Sequence, residues 1–579
     1  MNRIGIILVI LGFGVFLSIP FLTQHHLTNQ LINTEYNSQE KAELVNDVYS
    51  SILNKPVSTW KLLSITNNAI KSINKEATNR YAFSEEDIIR LENLAHNRAL
   101  NQKSLNSLWG AENFKVLAFN SYGSWLFDRS FNSDEELESS IRQVVNNITL
   151  YEVIPKKGID TYAAKSLKYK LAKHSITGIL HNNALLFLML TFGFTSIGGL
   201  LMLQDFINEK PGIKNNGIFF HPAKNRKWLG ILLGTLLILF YIILYFFPEY
   251  MTGWIRMVDP VSYLLSGSEA GQFFLYGLMY TVSVLVMGAR MMAKYRHNRY
   301  QLIRTGSVMF FQTIFAFLIP EILVSLNQPY FDFKNIWPLD YDFFFGFELD
   351  KLIAGGHLGL FMLVWGIGLS LIGVPLFTYF YGKRWYCSWV CGCGGLAETV
   401  GDPFRQLSNK SLLAWKIERY TIHSVLVFAV VMTIGVLYTY FTGASELLGI
   451  NTYTMRQVYG AFIGAGFSGV VGTGFYPLMG NRVWCRFGCP LAAYMGIIQR
   501  FKSRFRITTN GGQCISCGNC STHCEMGIDV RSYAQIGENI VRASCVGCGV
   551  CAAVCPRGVL KLENDTPTNR LNTTTFVKR

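Results

Sequence analysis

Long apolar runs alternate along the chain with shorter charged stretches, and several runs are long enough to cross a hydrocarbon layer roughly 30 Å thick as helices. Eight spans are predicted, at residues 4–23, 183–203, 227–247, 272–293, 307–326, 354–381, 420–442 and 457–479. The first continues into LSIPFLTQHH with no small-x-small cleavage site, so residues 1–24 read as an uncleaved anchor. Polar pattern then takes over, and residues 25–182 are expected to form a separate, mostly helical domain of a size that buries its own core. Within it, SEEDIIRLENL and SDEELESSIRQVV each place a serine cap before acids and before apolar residues at helical spacing, which predicts at least two helices. A transmembrane block over 183–499, a small domain over 500–565 and a tail over 566–579 complete the chain.

Charge orients these parts, because Lys and Arg accumulate on the cytoplasmic side of membrane proteins. Lys210, Lys214, Lys224 and Arg226 lie in one loop, Lys294, Arg296, Arg299 and Arg304 in another, and Arg500, Lys502, Arg504 and Arg506 follow the last span. All are expected inside. The loop 327–353 carries Asp332, Asp340, Asp342, Glu348 and Asp350 against Lys334 and Lys351, and is expected outside, as is the domain 25–182. Half of the residues are hydrophobic and 15% charged, so the net charge of +15 reads as topology and contact with anionic lipid. No aromatic-basic pattern of a nucleic-acid binder accompanies it.

The thirteen cysteines all fall between Cys387 and Cys555, on the expected reducing side, which argues against disulfides. CISCGNCSTHC and CVGCGVCAAVCP repeat the spacing C-x2-C-x2-C-x3-C, the bacterial two-cluster ferredoxin pattern in which the fourth cysteine of each run serves the other cluster. Cys514, Cys517, Cys520 and Cys555 are thus expected to hold one [4Fe-4S] cluster, and Cys545, Cys548, Cys551 and Cys524 the second. Zinc knuckles use separated pairs or Cys/His mixtures, and eight cysteines in a doubled register exceed tetrahedral needs. The first run ends in Glu525, where such ferredoxins usually have proline.

Two further pairs, Cys387/Cys391 in YCSWVCGCGG and Cys485/Cys489 in VWCRFGCPLAAYMG, each follow a predicted span. A C-x3-C pair on a helix would put both thiols on one face at i and i+4. Four thiolates leaving two spans at one depth predict a third metal centre at the membrane surface, of iron-sulfur type, with Cys393 able to replace Cys391. Isolated free cysteines commonly serve as small buried hydrophobes, a reading that suits two matched pairs poorly.

With WYCSWVC, VWCRFGCPLAAYMG and the two ferredoxin runs in view, the region 350–560 resembles the membrane-bound polyferredoxins, a family that includes NapH, NosR and CcoG. The resemblance implies two C-x3-C-P motifs after transmembrane helices, a terminal two-cluster domain, and a role in electron delivery to respiratory enzymes or in their maturation. The layout of anchor, outer domain, spans and terminal ferredoxin is most similar to NosR. Pro490 follows Cys489 as the family pattern requires, whereas Gly392 and Cys393 follow Cys391. NosR-type proteins also carry a flavin on a Ser/Thr-Gly-Ala-Thr/Ser motif. Residues 25–180 contain none, and the TGAS at 442–445, which would put a flavin on Ser445, is short enough to recur by chance as an ordinary turn.

Ionisable groups within spans are functional candidates because lipid makes each costly. His357, His423 and Glu321 are the three, as quinone or proton sites. His357 and His423 fall near opposite leaflets, which speaks against a bis-histidine haem b, and no C-x-x-C-H for haem c occurs. The fold expected is a polytopic α-helical membrane protein with an N-terminal extracytoplasmic domain and a C-terminal two-[4Fe-4S] ferredoxin-like α+β domain. The function expected is inner-membrane iron-sulfur electron transfer to a quinone or a periplasmic redox partner. The alternatives are a maturation factor such as a metal reductase, and a redox or ligand sensor.

Overall fold

A computed structural model describes residues 3–36, 39–96, 100–110, 112–127, 133–208, 225–444 and 446–564. Lys210, Lys214, Lys224, Ser445 and the tail 566–579 lie outside the described residues. Seven helices are long and apolar enough to cross a membrane: Arg3–Leu22, Ala184–Leu201, Trp228–Phe246, Gln272–Lys294, Arg299–Ser325, Gly356–Tyr381 and Leu412–Thr442. The eighth predicted stretch is helical over Thr452–Val458, Tyr459–Val471 and Gly472–Gly474, but its glycines dilute its hydropathy and it is not one of the seven. The fifth and seventh spans begin about two turns before the hydrophobic pattern does. Asn298 caps one by accepting from Gln301 N, and Ser411 caps the other by accepting from Ala414 N, so charged residues continue these helices beyond the apolar part.

The chain divides into two compact units, one of Met1–Leu17, Ala184–Phe247 and Met257–Arg579, the other of Ser18–Asn183 and Pro248–Arg256. The second unit is mostly helical. Both predicted helices are present, as Glu85–His96, with Ser84 and Asp87 bonding each other's backbone amides, and as Asp134–Ile148, capped by Ser133. A small antiparallel sheet in the order 56–58, 24–26, 176–177 gathers the segments. At its centre His25, fully buried, bonds Ser175 Oγ and Thr59 Oγ1, both at 2.9 Å.

In the first unit, residues 506–564 form the terminal domain. Arg506–Thr508 pairs antiparallel with Lys561–Glu563, Ile507 opposite Leu562, short helices at Asn519–Thr522 and Val550–Ala553 lie within the two cysteine runs, and Val530–Ile536 follows the first. One buried apolar cluster runs without a break from this domain (Ile507, Met526, Val546, Leu560) into the membrane block (Val374, Ile422, Trp484, Leu491). The first turn of the fifth span meets the domain too, through Tyr300 OH on Gly547 O (2.9 Å) and Gln301 Nε2 on Cys548 O (2.9 Å).

The loop 327–353 departs from expectation. It joins the ends of the fifth and sixth spans, yet Tyr386 OH, beyond the far end of the sixth, donates to Lys334 O at 2.9 Å. The sixth span is 26 residues long, about 39 Å at 1.5 Å per residue, so the loop descends through the block. Irregular backbone survives at that depth where protein surrounds it, and Phe331, Ile336 and Phe343 are buried.

The domain and the block are also joined by buried ions. Arg405, with no exposed surface, bonds Glu398, Asp402 (2.8 Å) and Glu525 (2.6 Å). Arg482 reaches Glu398 (2.7 Å) and Glu525 (3.1 Å), and Arg304 Nη1 lies 2.6 Å from Glu398. Lys294 (2.7 Å) and Arg290 (3.2 Å) hold the other side of Asp402. Burial alone would raise the Glu398 pKa, but the surrounding guanidiniums hold it well below the usual carboxylate range. Glu525 is thus the ferredoxin-side partner of two buried arginines. Replacing Glu525→Gln removes that charge and is expected to cost about 3–5 kcal/mol. The measurement is the melting temperature in detergent with protease release of the terminal domain, and an unchanged melting temperature would show that the network does not hold it.

Candidate metal centres

Each C-x3-C pair sits in the same local frame. Reading back from the first cysteine, both show Gly, then Arg at the third position before it and an aromatic just before it: Gly382, Arg384, Tyr386, Cys387 and Gly480, Arg482, Trp484, Cys485. Gly382 (φ 65°) and Gly480 (φ 93°) end the preceding helical segments in a conformation glycine tolerates. A Cβ at Gly480 would lie 2.8 Å from the Ser408 amide nitrogen. Short helices Arg384–Cys387 and Val483–Phe487 then carry the first cysteines, and the turn closes identically, by Cys391 N on Tyr386 O (2.8 Å) and Cys489 N on Trp484 O (3.0 Å).

The second cysteine of each pair therefore does not share a helical face with the first. Cys391 and Cys489 have extended backbones and cap the following helices, Gly392–Thr399 and Pro490–Phe501. Proline is the reason in the second repeat, since its ring disfavours helical backbone at Cys489 and suits the first helical position. Cys489 Sγ accepts from Ala492 N at 3.4 Å.

The two repeats clasp each other. Arg482 Nη1 donates to Cys387 O (3.1 Å) and lies 3.6 Å from Cys485 Sγ, while Lys383 Nζ donates to Ala492 O (3.2 Å). All four pair cysteines are buried in one cluster, with Cys393 against it. Burial raises the Cys387 pKa, whereas the hydrogen bond from Cys393 lowers that of Cys391 towards the thiolate, the form that binds metal.

In the terminal domain, two cavities of matching size carry the remaining thiols. One is lined by Cys514, Cys517, Cys520 and Cys555, the other by Cys524, Cys545, Cys548 and Cys551. These are the two interleaved sets expected from spacing. Backbone amides point at the sulfurs, Gly547 at Cys545, Ser521 at Cys520, Met526 and Ile528 at Cys524. Among the described residues no three cysteine sulfurs lie within 4.8 Å of one another. A single tetrahedral zinc would draw its sulfurs to about 3.8 Å, given Zn–S near 2.3 Å. The donor sets fit a larger, polynuclear group.

The two cavities differ in setting. Cys517 is exposed and Cys514 partly so, whereas Cys545 and Cys551 are buried against the membrane block. Gln499 bridges the two sites, accepting from Lys383 N (2.6 Å) and donating to Cys545 O (2.7 Å), and Ser388 Oγ donates to Val546 O (2.8 Å). Around them the ion network sets five cations, Arg290, Lys294, Arg304, Arg405 and Arg482, against three carboxylates. That buried positive excess favours anionic occupants of the neighbouring thiol sites. Spacing alone did not single out Lys383, Arg482, Gln499 and Ser388. The repeated glycine, arginine and aromatic before each pair was the available signal.

The other predicted site residues are scattered. His423 is exposed and donates from Nδ1 to Arg419 O (2.6 Å), a bond within its own helix, with the tautomer assigned from that contact. His357 is exposed at the start of the sixth span, and Glu321 is half-buried in the fifth. A cavity of about 640 Å³ lies elsewhere, lined by Tyr245, Tyr276, Tyr280 and Trp484, by Asp332 and Lys334 of the descending loop, and by Cys393 and Cys485.

Residues 513–560 match the family described as 4Fe-4S dicluster domain, and 362–411 and 461–508, the two C-x3-C repeats, each match the family described as 4Fe-4S binding domain. Among curated proteins the chain is similar to YccM of Escherichia coli (strain K12), described as an electron transport protein, at 27% identity over 27% of this chain and 44% of YccM. It is also similar to the methylamine utilization ferredoxin-type protein MauN of Methylobacillus flagellatus, at 27% identity over 41% of this chain and 80% of MauN. MauN of Paracoccus denitrificans is 31% identical over 27% of this chain and 53% of that protein. The chain thus spans less than half the length of YccM. No solved structure matches. With seven apolar helices beside them, these matches identify a membrane-type chain that carries 4Fe-4S ferredoxin-type domains.

Proposed function

We propose that the chain is a membrane-bound iron-sulfur electron carrier of the bacterial inner membrane, linking a cytoplasmic ferredoxin domain to a quinone or an extracytoplasmic redox partner of a respiratory pathway. The observation that carries this reading is the order of the thiol sets. A set that reaches the surface through Cys517 (Cys514, Cys517, Cys520, Cys555) is followed by one with no exposed cysteine (Cys524, Cys545, Cys548, Cys551), which is bonded through Ser388 and Gln499 to the frame of a third (Cys387, Cys391, Cys485, Cys489). One-electron transfer is the chemistry that iron-sulfur clusters supply when bound at such sets. The names of YccM and MauN as an electron transport and a ferredoxin-type protein agree with it.

The chain's own residues perform three tasks in this reading. Ser388 and Gln499 fix the second and third sets relative to each other by direct hydrogen bonds, and Arg482 adds its ion pair with Glu525. Lys383 and Arg482, both buried, place positive charge beside the third set, which favours an anionic centre there. The descending loop brings Asp332 and Lys334, with Lys334 Nζ 2.8 Å from Asp332 Oδ2, to a cavity that also reaches Cys393 and Cys485. At about 640 Å³, lined by aromatic rings with a few polar groups, that cavity suits the head of a quinone. The loop's two ends remain on the opposite side, which offers the third set a route across the membrane.

Three outcomes are expected. Cys517→Ser should lower iron per chain by about four and leave the rest in place, as should Cys485→Ser/Cys489→Ser independently, because the three ligand sets share no residue. Stoichiometric zinc with little iron after anaerobic purification would contradict both. Chemically reduced full-length protein should be reoxidised rapidly by a short-chain quinone and much more slowly in the Cys485→Ser/Cys489→Ser variant; no turnover in either favours a sensor. For sidedness, a cysteine introduced at Ser325 or Asp350, in a background whose native thiols are inert to the reagent, should react with an impermeant maleimide in intact cells. A cysteine at Lys561 should not, and the reverse pattern would invert the topology.

A further inference from the structure

A second cavity, of about 450 Å³, lies where the first turns of the seventh span meet the helix Pro490–Phe501 and the terminal domain. Its lining holds four cations, Lys383, Arg419, Arg500 and Arg542. Among the described residues none of the four lies within 4.0 Å of a carboxylate. The acid that lines the cavity, Glu418, is engaged by Arg486 at 2.7 Å.

The cations make only neutral contacts. Lys383, 1% exposed, donates to a carbonyl, Arg500 Nη1 donates to Val541 O (2.7 Å), and Arg542 Nη1 donates to Tyr533 OH (3.1 Å). Arg542 Nε is buried with no partner. Arg419 and Arg542 both lie 5.1 Å from the Trp415 ring, so two guanidiniums converge on one indole. Like charges gathered at a low-dielectric boundary repel, and a buried cation without a counter-ion is costly. Such a site is stabilised by an anion.

The geometry points to the phosphate of an anionic phospholipid headgroup as that anion. Guanidinium groups match phosphate oxygens with paired donors, and a lysine adds a point charge. The remaining wall is apolar, through Ile422, Ile497 and Phe501, and Phe501 is 75% exposed. From there the lipid-facing side of the seventh span continues with Val427 and Val431, both exposed. A headgroup at the cations would therefore lay its acyl chains on apolar surface, which a soluble phosphate would leave uncovered. Cys485 also lines the cavity, so the bound anion would neighbour the third thiol set.

The test is native mass spectrometry of the full-length, iron-loaded protein in detergent, offered equal phosphatidylglycerol and phosphatidylcholine. Selective retention of phosphatidylglycerol is expected. Arg419→Gln/Arg500→Gln, which changes two exposed side chains, should reduce that retention roughly thirtyfold, as two headgroup-facing cations imply. Lys416→Gln, on the same helix but away from the cavity, should not, and iron content in all three reports intact folding. Arg542→Gln, at the cavity-lining arginine whose Nε has no partner, is the second variant and should act in the same direction. Equal retention of both lipids, or equal retention in wild type and Arg419→Gln/Arg500→Gln, overturns the proposal. Loss of bound phosphatidylglycerol on adding inorganic phosphate, without discrimination between the lipids, would assign the site to soluble phosphate and overturn the lipid.

Discussion

Arg405 and its three carboxylates are the constraint on which the arrangement of metal sites depends. Glu398 and Asp402 belong to the segment after the first C-x3-C repeat, and Glu525 to the first ferredoxin run. A guanidinium with no solvent contact cannot lose one of these partners without leaving charge unpaired, so the terminal domain has one docked position rather than a loose tether. Arg482 takes part in the same network and also touches Cys485 Sγ and the Cys387 carbonyl. The pairing that docks the domain thereby also sets the distance from its buried thiols to those of the C-x3-C pairs.

This gives Glu525 a physical meaning. A proline after the fourth cysteine would only shape a turn, whereas glutamate shapes the same region and supplies the charge that Arg405 and Arg482 require. Its backbone is held as well, Ser408 Oγ donating to its carbonyl at 2.7 Å. The departure from the usual ferredoxin pattern thus adds a buried ionic link to the apolar and hydrogen-bonded contacts between the terminal domain and the membrane block. The C-x3-C repeats show the same economy. One six-residue turn, a left-handed glycine and a capped helix occur twice, and each repeat sends a cation into the backbone of the other.

The descending loop changes how the membrane block is understood. The charge rule, applied to its acidic residues, speaks only to the side on which the loop begins and finishes. Its middle is carried inward by packing of Phe331, Ile336 and Phe343 and by Tyr386 bonding Lys334 O. Arg304 teaches the same lesson from the basic side. Counted as a topology charge in the chain, it is 1% exposed in the fold and lies against Glu398.

Local chemistry is what the sequence determined by itself. Apolar length marked eight stretches, seven of which are helices long and apolar enough to cross a membrane, serine caps marked Glu85–His96 and Asp134–Ile148, and cysteine spacing marked the interleaved sets that line two cavities, because each depends on residues a few positions apart. Where spacing admitted two geometries it misled: C-x3-C suggested one helical face, and the turns closed on Tyr386 O and Trp484 O placed the pairs across a helix break instead. Only the tertiary structure decided which distant charges neutralise one another, that Glu525 meets Arg405 across 120 residues, and that a loop from the far side reaches Tyr386. Those choices depend on burial, which turns a weak solvated charge into a strong demand for a partner, and burial is a property of the folded chain alone.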